Sequence, residues 1–503
     1  MKKSILSLSA AVALGGLGIA GTANAWVAYD ETNTAATLLV FNNSGVGHQL
    51  FTPYYTANNG MATLVNIVNT DNVNGKAVKV RFRGATNSDD VLDFTLFLSP
   101  GDVWAGAVLQ GADGRASLST PDKSCTIPEA AAWAGGVPFK TERLPSYVTG
   151  DNLAALTREG YVEVLTMADI RKDSALYKAT KHKNGVAPCE TLDYDGLLST
   201  DADVSAARAY GLDNPTGGLM GSWSILDFGH MGTYSGVQTA VVATAATQVG
   251  PDGTVPSAPA NMVFFPQLEA AVGFDVSGWT ADPLLTGTAP ILQPLWFDLP
   301  DMSTPALAGD SPVNQADGLS LALSKTNVIN EYIATAPGAA VPFTTDWVVS
   351  QPTRRYHAAV NYATSAATAA IVTRAGSDNP YEDRLTLDRT PATGPVACMD
   401  MSFANTDREE KAVKISASGG FSPGSVEAPK KYCGEVFVAQ FGAESSLQAA
   451  ITKRALTPVG EAGWGTLGVP SGAVPIVGYA ATLFTNEANG NKYGLSFTHR
   501  WMR

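Results

Sequence analysis

The amino-acid sequence predicts an all-β protein organised as two β-sandwiches in tandem. Three observations carry that expectation. Between Lys76 and Arg83, Val78, Val80 and Phe82 alternate with Lys79, Arg81 and Arg83, and Leu92, Phe94, Leu96 and Leu98 repeat the alternation. A period of two marks a strand with one buried face. The composition, with 49 Gly, 29 Pro and 16% charged residues, suits short strands and frequent turns better than long helices. Finally, a series of segments from the first half recurs in the same order in the second.

The chain opens with Met1-Lys2-Lys3, an apolar run over residues 5–20 and Ala23-Asn24-Ala25. A basic start, a short apolar core and an A-x-A site predict a signal peptide over residues 1–25, hence export. That core is too short to span a bilayer, and no other segment is apolar and long enough to cross one as a helix.

Residues 26–248 are expected to form the first domain. Residues 37–41 and 49–55 read as strands joined by a turn that begins Asn42-Asn43-Ser44-Gly45. Asn58-Asn59-Gly60 turns the chain into a strand over 61–68, and the two alternating runs follow. Ser99-Pro100-Gly101-Asp102 ends the second run. Residues 116–152 are irregular, anchored by Cys125. A short helix over 151–159 would start at Asp151 or Asn152 as its cap. Residues 161–167, 219–228 and 237–244 complete the strands, the last two separated by a Gly-rich reversal.

Residues 249–340 form a Pro/Ala-rich connector, within which Leu321, Leu323, Val328, Ile329 and Ile333 are spaced roughly as on a short helix. Thr345-Asp346-Trp347-Val348-Val349 restarts the strand pattern, which places the second domain at 341–503. Here Asn405-Thr406-Asp407 followed by Lys411-Ala412-Val413-Lys414-Ile415 echoes Asn69-Thr70-Asp71 followed by Lys76-Ala77-Val78-Lys79-Val80. Ser422-Pro423-Gly424 echoes Ser99-Pro100-Gly101. Segments 161–167 and 217–241 find counterparts at 464–469 and 473–501. The expectation is two immunoglobulin-like β-sandwiches related by duplication.

With 33 Lys and Arg against 46 Asp and Glu, the formal charge is −13. Such a chain is a poor partner for nucleic acid, whose phosphates need basic surface. The four cysteines fall as one pair in each half, and an even number in an exported protein favours disulfides. Of three possible pairings, Cys125–Cys189 with Cys398–Cys433 is the local one. A zinc site would want C-x2-C spacing and nearby histidine, which are absent.

Catalytic signals are weak. His48, His182, His230, His357 and His499 include no i,i+4 pair, so packing roles are the default. Gly420-Phe421-Ser422-Pro423-Gly424 matches G-x-S-x-G in letters. Pro423, however, lacks the N–H that would serve an oxyanion, so a turn is the better reading. Asp193-Tyr194-Asp195-Gly196, with Asp201 and Asp203, could converge carboxylates on calcium, although the remaining ligands of an EF-hand are missing. The nine tryptophans could form a sugar-binding face or pack the sandwich cores.

Several stretches together carry a resemblance. They are Asp89-Asp90-Val91-Leu92-Asp93-Phe94 running into Leu98-Ser99-Pro100-Gly101-Asp102-Val103-Trp104, then Arg158-Glu159-Gly160-Tyr161-Val162-Glu163 and Asn330-Glu331-Tyr332. Thr345-Asp346-Trp347-Val348-Val349 with Pro352-Thr353-Arg354-Arg355, and Asp407-Arg408-Glu409-Glu410, belong with them. The chain resembles a family of abundant exported proteins of Gram-negative bacteria that includes surface-layer and biofilm-matrix proteins. The resemblance implies a non-enzymatic structural protein that self-associates at the cell surface or outside the cell. The alternatives are a secreted adhesin or carbohydrate-binding module acting on a cell-surface glycan, and an exported hydrolase.

Overall fold

The computed structural model describes residues 28–192, 204–229, 232–245, 255–264, 300–412 except 337, 340, 375 and 377, 430–486 except 471, and 490–502. It is mostly β-sheet. In the first half the main strands are β1 (Leu38–Asn42), β2 (Gln49–Thr56), β3 (Met61–Asn69), β4 (Gly75–Gly84), β5 (Asp90–Leu98) and β6 (Val103–Gln110). They continue with β7 (Ala116–Ser119), β8 (Cys125–Ile127), β9 (Glu159–Ile170), β10 (Leu219–Asp227), β11 (Gly232–Val237) and β12 (Thr239–Thr244). One sheet runs β8-β5-β4-β9-β2-β12-β1, and the other runs β7-β6-β3-β10-β11.

The two alternating runs become the β4–β5 hairpin, in which Val80 faces Phe94 and Phe82 faces Leu92. Their apolar face packs onto Val65, Ile67, Trp104, Val108 and Leu118 of the second sheet. Phe94 sits with its ring centroid 4.9 Å from that of Trp133 and 5.4 Å from that of Trp104. Such aromatic clusters dominate core energetics through the area they remove from water.

The polar face of the same hairpin departs from expectation. Alternation would put Lys79, Arg81 and Arg83 in solvent, yet they are 3%, 1% and 0% exposed. The covering layer comes from far along the chain: Arg81 Nη2 donates to Pro300 O (3.3 Å), and Tyr356 OH donates to Glu163 (3.1 Å). A two-residue period reports that the two faces differ in polarity. It does not report which of them is wet.

The second half begins with α1 (Pro312–Leu323) and continues through β13 (Asn327–Ile333), β14 (Phe343–Ser350), β15 (Leu385–Asp388), β16 (Val396–Asp407) and β17 (Lys430–Cys433). It ends with β18 (Val436–Phe441), β19 (Lys453–Leu456), β20 (Ala462–Gly468), β21 (Val477–Asn486), β22 (Asn491–Thr498) and β23 (Arg500–Met502). The sheet β15-β16-β20-β13-β23, with β17 alongside β16, faces the sheet β19-β18-β14-β21-β22. Trp347, Val349, Phe437 and Phe441 meet Val328, Tyr332, Met399 and Leu467 between them.

Helical spacing over 318–333 gives way to a break at Ser324. Helix α1 stops there, after starting at Ser311, whose hydroxyl accepts from Asn314 N–H, with Pro312 in its first turn. Residues beyond the break alternate instead: Val328, Asn330 and Tyr332 point inward, and Ile329, Glu331 and Ile333 outward. They form β13, an interior strand between β20 and β23. The short helix expected over 151–159 is the shorter Gly150–Ala155.

The repeated order of segments does not extend to strand pairing. In the first half, residues 64–68 and 161–167 lie in opposite sheets, on β3 and β9. In the repeated order residues 399–403, which precede Asn405-Thr406-Asp407 as 64–68 precede Asn69-Thr70-Asp71, and 464–469 are their counterparts; these lie on β16 and β20 and pair directly, Phe403 opposite Leu467. The halves also share a core. Tyr54, Tyr161, Trp223 and Tyr234 of the first pack against Val348, Val436, Val438 and Tyr479 of the second, with Trp223 and Tyr479 ring centroids 4.2 Å apart.

Candidate functional site

Charged and hydroxyl groups collect along the seam between the halves. Arg83 Nε donates to Glu163 Oε2 (3.1 Å), and Arg81 pairs with Asp90. From the second half, the turn Arg354–Tyr356 brings Arg355 to Asp301 (3.2 Å) and Arg354 to Glu435 (3.5 Å). Tyr362 OH donates to Asp89 Oδ2 at 2.6 Å. Buried charges survive only when paired and hydrogen-bonded, so this network locks one relative placement of the halves. Burial pushes the Glu435 carboxyl up to about 7, against the pull of Arg354 and Arg355.

Glu159, at the start of β9, clasps the second half. Its carboxylate accepts from Tyr54 OH (2.7 Å), Ala450 N (3.1 Å), Ile451 N (2.7 Å), Thr452 N (3.3 Å) and Thr452 Oγ1 (2.8 Å). Nothing in the spacing of Glu159 announces this role, because its second-half partners lie about 290 residues away.

Helix α1 presents an arrangement that resembles a hydrolytic triad. Ser320 Oγ is 2.7 Å from His357 Nε2, and His357 Nδ1 is 3.6 Å from Asp317 Oδ1. The protons are in the wrong places for that chemistry. Arg374 has only donors, and its Nη2 is 2.9 Å from His357 Nδ1, so Nδ1 is an acceptor and the ring proton sits on Nε2. Nε2 therefore donates to Ser320, whose hydroxyl in turn donates to Thr353 Oγ1 (2.8 Å). A base already carrying its proton takes none from the serine. Burial, with the Arg374 charge, holds His357 down to about 3.

The other buried histidines are wired in the same neutral way. His48 accepts from Ala243 N at Nδ1 and donates from Nε2 to Pro215 O. His499 accepts from Asn330 Nδ2 and donates to Val348 O (2.9 Å), which pins the bend where the chain crosses from β22 to β23. Burial lowers both to about 4. His182 instead lies 3.3 Å from Asp102 at a half-buried site, and His230 is outside the described residues.

A cleft of about 640 Å³ opens on the seam. Thr86 contributes from the first half; Thr386, Asp388, Thr393, Lys431, Thr452 and Arg454 contribute from the second. The Cys398–Cys433 disulfide forms part of the wall, joining directly opposed residues of β16 and β17. Arg454 is held rigidly by carbonyls: Nη1 donates to Lys453 O (2.7 Å) and Ile451 O (3.1 Å), and Nη2 donates to Cys433 O (2.8 Å). Burial lowers its pKa, while Glu159 and Asp388 pull the other way. Among the described residues, neither Arg454 nor Lys431 has a carboxylate within ion-pair distance.

Both expected disulfides are present, Cys125–Cys189 and Cys398–Cys433. Asp388 lies close to the sulfurs of Cys398 and Cys433, but those sulfurs are bonded to each other and offer no thiolate to a metal. Asp193, Asp195, Asp201 and Asp203, the calcium candidates, lie outside the described residues, as do Ser422 and residues 1–25, the expected signal peptide. No described helix is long and apolar enough to cross a membrane. Of the cleft, the sequence carried one unexploited sign: the basic pairs Lys430-Lys431 and Lys453-Arg454 stand out in an acidic chain.

No family model matches the chain, and the search of curated proteins finds no match. Among solved structures the chain aligns with the Pleurotus ostreatus lectin in its apo form, at 10% identity over 95% of this chain and 86% of that one. The TM-score is 0.13, a level of likeness that carries no argument.

Proposed function

We propose that the chain is a non-enzymatic, exported structural protein that assembles with copies of itself at the cell surface, as a surface layer or biofilm matrix. In this reading its halves are tandem immunoglobulin-like building units. One observation carries it. Strand β22 is the last of its sheet; on its inner face Ser496 bonds Ser235 of β11, and Phe497 O accepts from Asn330 Nδ2, while its outer face is uncovered among the described residues. Tyr493, Leu495 and Phe497 alternate along it and are 47%, 51% and 51% exposed. An apolar row on the outer face of a terminal strand offers contact area to a partner chain.

The occupant that fits is a second copy of the same strand. Between Asn491 and Thr498 the only charged side chain is Lys492. Two copies of β22 can therefore meet without bringing the acidic excess of the chain into opposition. The wiring of Ser320 and His357 supports the non-enzymatic side of the reading, and the two disulfides fit an oxidising compartment.

Light scattering on size-exclusion fractions of the mature protein tests this. The mass should rise with concentration, and Phe497→Asp should hold the protein monomeric with an unchanged unfolding midpoint. Leu321→Asp, on the exposed side of α1 at 75% exposure, is the control and should assemble normally. A wild-type protein that stays monomeric at every concentration refutes the proposal. The cleft favours a second reading, a surface protein that also binds a glycan.

A further inference from the structure

The cleft on the seam is unexplained by assembly through β22. We infer that the cleft between Thr86 and Arg454 is a binding site for an acidic sugar, a saccharide residue bearing one carboxylate or phosphate beside free hydroxyls. Its volume, about 640 Å³, lies within the range of small-ligand sites and exceeds what a lone anion needs.

The chemistry of the lining divides into two parts. Lys431 and Arg454 set two positive charges against the one carboxylate of the lining, Asp388, in a chain whose formal charge is −13. Three backbone carbonyls hold the guanidinium plane of Arg454, so little side-chain entropy is lost when an anion docks against it. An anion is repelled by most of this protein and attracted here.

The remaining groups match hydroxyls. Asp388 Oδ1 accepts from Thr390 N (2.9 Å) and Thr390 Oγ1 (2.8 Å), which orients the carboxylate and leaves Oδ2 for a ligand O–H. Thr386 and Thr393 line the same space with hydroxyl-bearing side chains, and Leu387, Pro391 and Ile451 add apolar surface for the C–H face of a ring. A simple anion would use only the cations and would be opposed by Asp388. A neutral sugar would leave both cations unmatched. An anionic sugar uses both sets.

The site is formed by both halves, since Arg354 donates to Gly434 O (3.0 Å) and to Thr86 O (3.3 Å) and so joins the two in the lining. Occupancy therefore depends on the seam being closed.

Isothermal titration of the full mature protein with glucuronate, glucose 6-phosphate, glucose and inorganic phosphate tests the inference. Either glucuronate or glucose 6-phosphate should bind at least tenfold more tightly than glucose and than phosphate alone, and the two acidic sugars tell a carboxylate from a phosphate ligand. Lys431→Gln and Asp388→Asn, both at solvent-accessible positions, should each weaken that binding at least threefold without moving the unfolding midpoint. Arg454→Gln should weaken it at least tenfold, and the other two variants keep the test decisive if this one fails to fold. Equal binding of glucose, equal binding of phosphate, or no binding by any of the four probes overturns the assignment. Measuring Phe497→Asp in the same titration separates this site from assembly: the monomeric variant should bind the sugar as wild type does.

Discussion

Replacing Glu159 by alanine probes the coupling of the two halves most directly. The carboxylate is fully buried and satisfies three backbone N–H groups of residues 450–452, with two hydroxyls besides. Each buried donor left without an acceptor costs about 1–3 kcal/mol, so the three amides alone set a range of about 3–9 kcal/mol. The upper part of that range is unrealistic, because removing the side chain also relieves the cost of desolvating a carboxylate and admits water. A loss of about 4 kcal/mol is expected. Glu159→Gln, which keeps one acceptor but turns an amide donor toward donors, should lose about 2 kcal/mol.

Urea unfolding of the full mature chain, followed by tryptophan fluorescence and far-ultraviolet circular dichroism, is the assay. Because the three amides belong to the second half and Glu159 to the first, the wild type should unfold in one transition that coincides for both probes. In Glu159→Ala that transition should move to lower urea or split in two. A loss below about 1 kcal/mol with an unsplit transition would show that the clasp contributes nothing to the fold.

Acid should destabilise the protein through its buried histidines. His48 and His499 are held down to about 4 and His357 to about 3, so the unfolded chain binds three protons near pH 6.5 that the native state refuses. Their contribution is full above pH 6.5 and is lost as pH falls toward those values. Asp346 and Glu435, raised by burial to about 7, act in the opposite sense, and their contribution is lost as pH rises through 7. The histidine part is isolated by His499→Gln, which should make the urea midpoint rise less steeply between about pH 4.5 and 6.5 than in the wild type; an unchanged slope would contradict it. Phe94→Ala should cost about 3–5 kcal/mol by opening a cavity beside Trp104 and Trp133, read as a shift in the same midpoint. Replacing both Cys125 and Cys189 by serine frees a loop spanning a separation of 64 residues and should cost about 4 kcal/mol, checked against peptide mapping without reductant.

What the sequence determined by itself is local. Alternation along residues 76–98 and the turn at residues 99–102 specified strands, their inward residues and the reversal, because strand period and turn chemistry act over a few neighbours. The even cysteine count and the nearness of each pair gave the disulfides by the same short-range logic. Helical spacing over 318–333 misled because it ran across Ser324, where the chain turns from helix to strand. What lay beyond reach was every contact made at long separation. Only the folded chain brings Tyr356 to Glu163 over a separation of 193 residues, places Arg374 against His357 Nδ1, and brings Thr86 and Arg454 to the lining of one cleft. The polarity of Lys79, Arg81 and Arg83 was visible in the sequence. Their burial was decided by the packing of the second half over that face, since the desolvation of a charge depends on what tertiary structure lays on top of it.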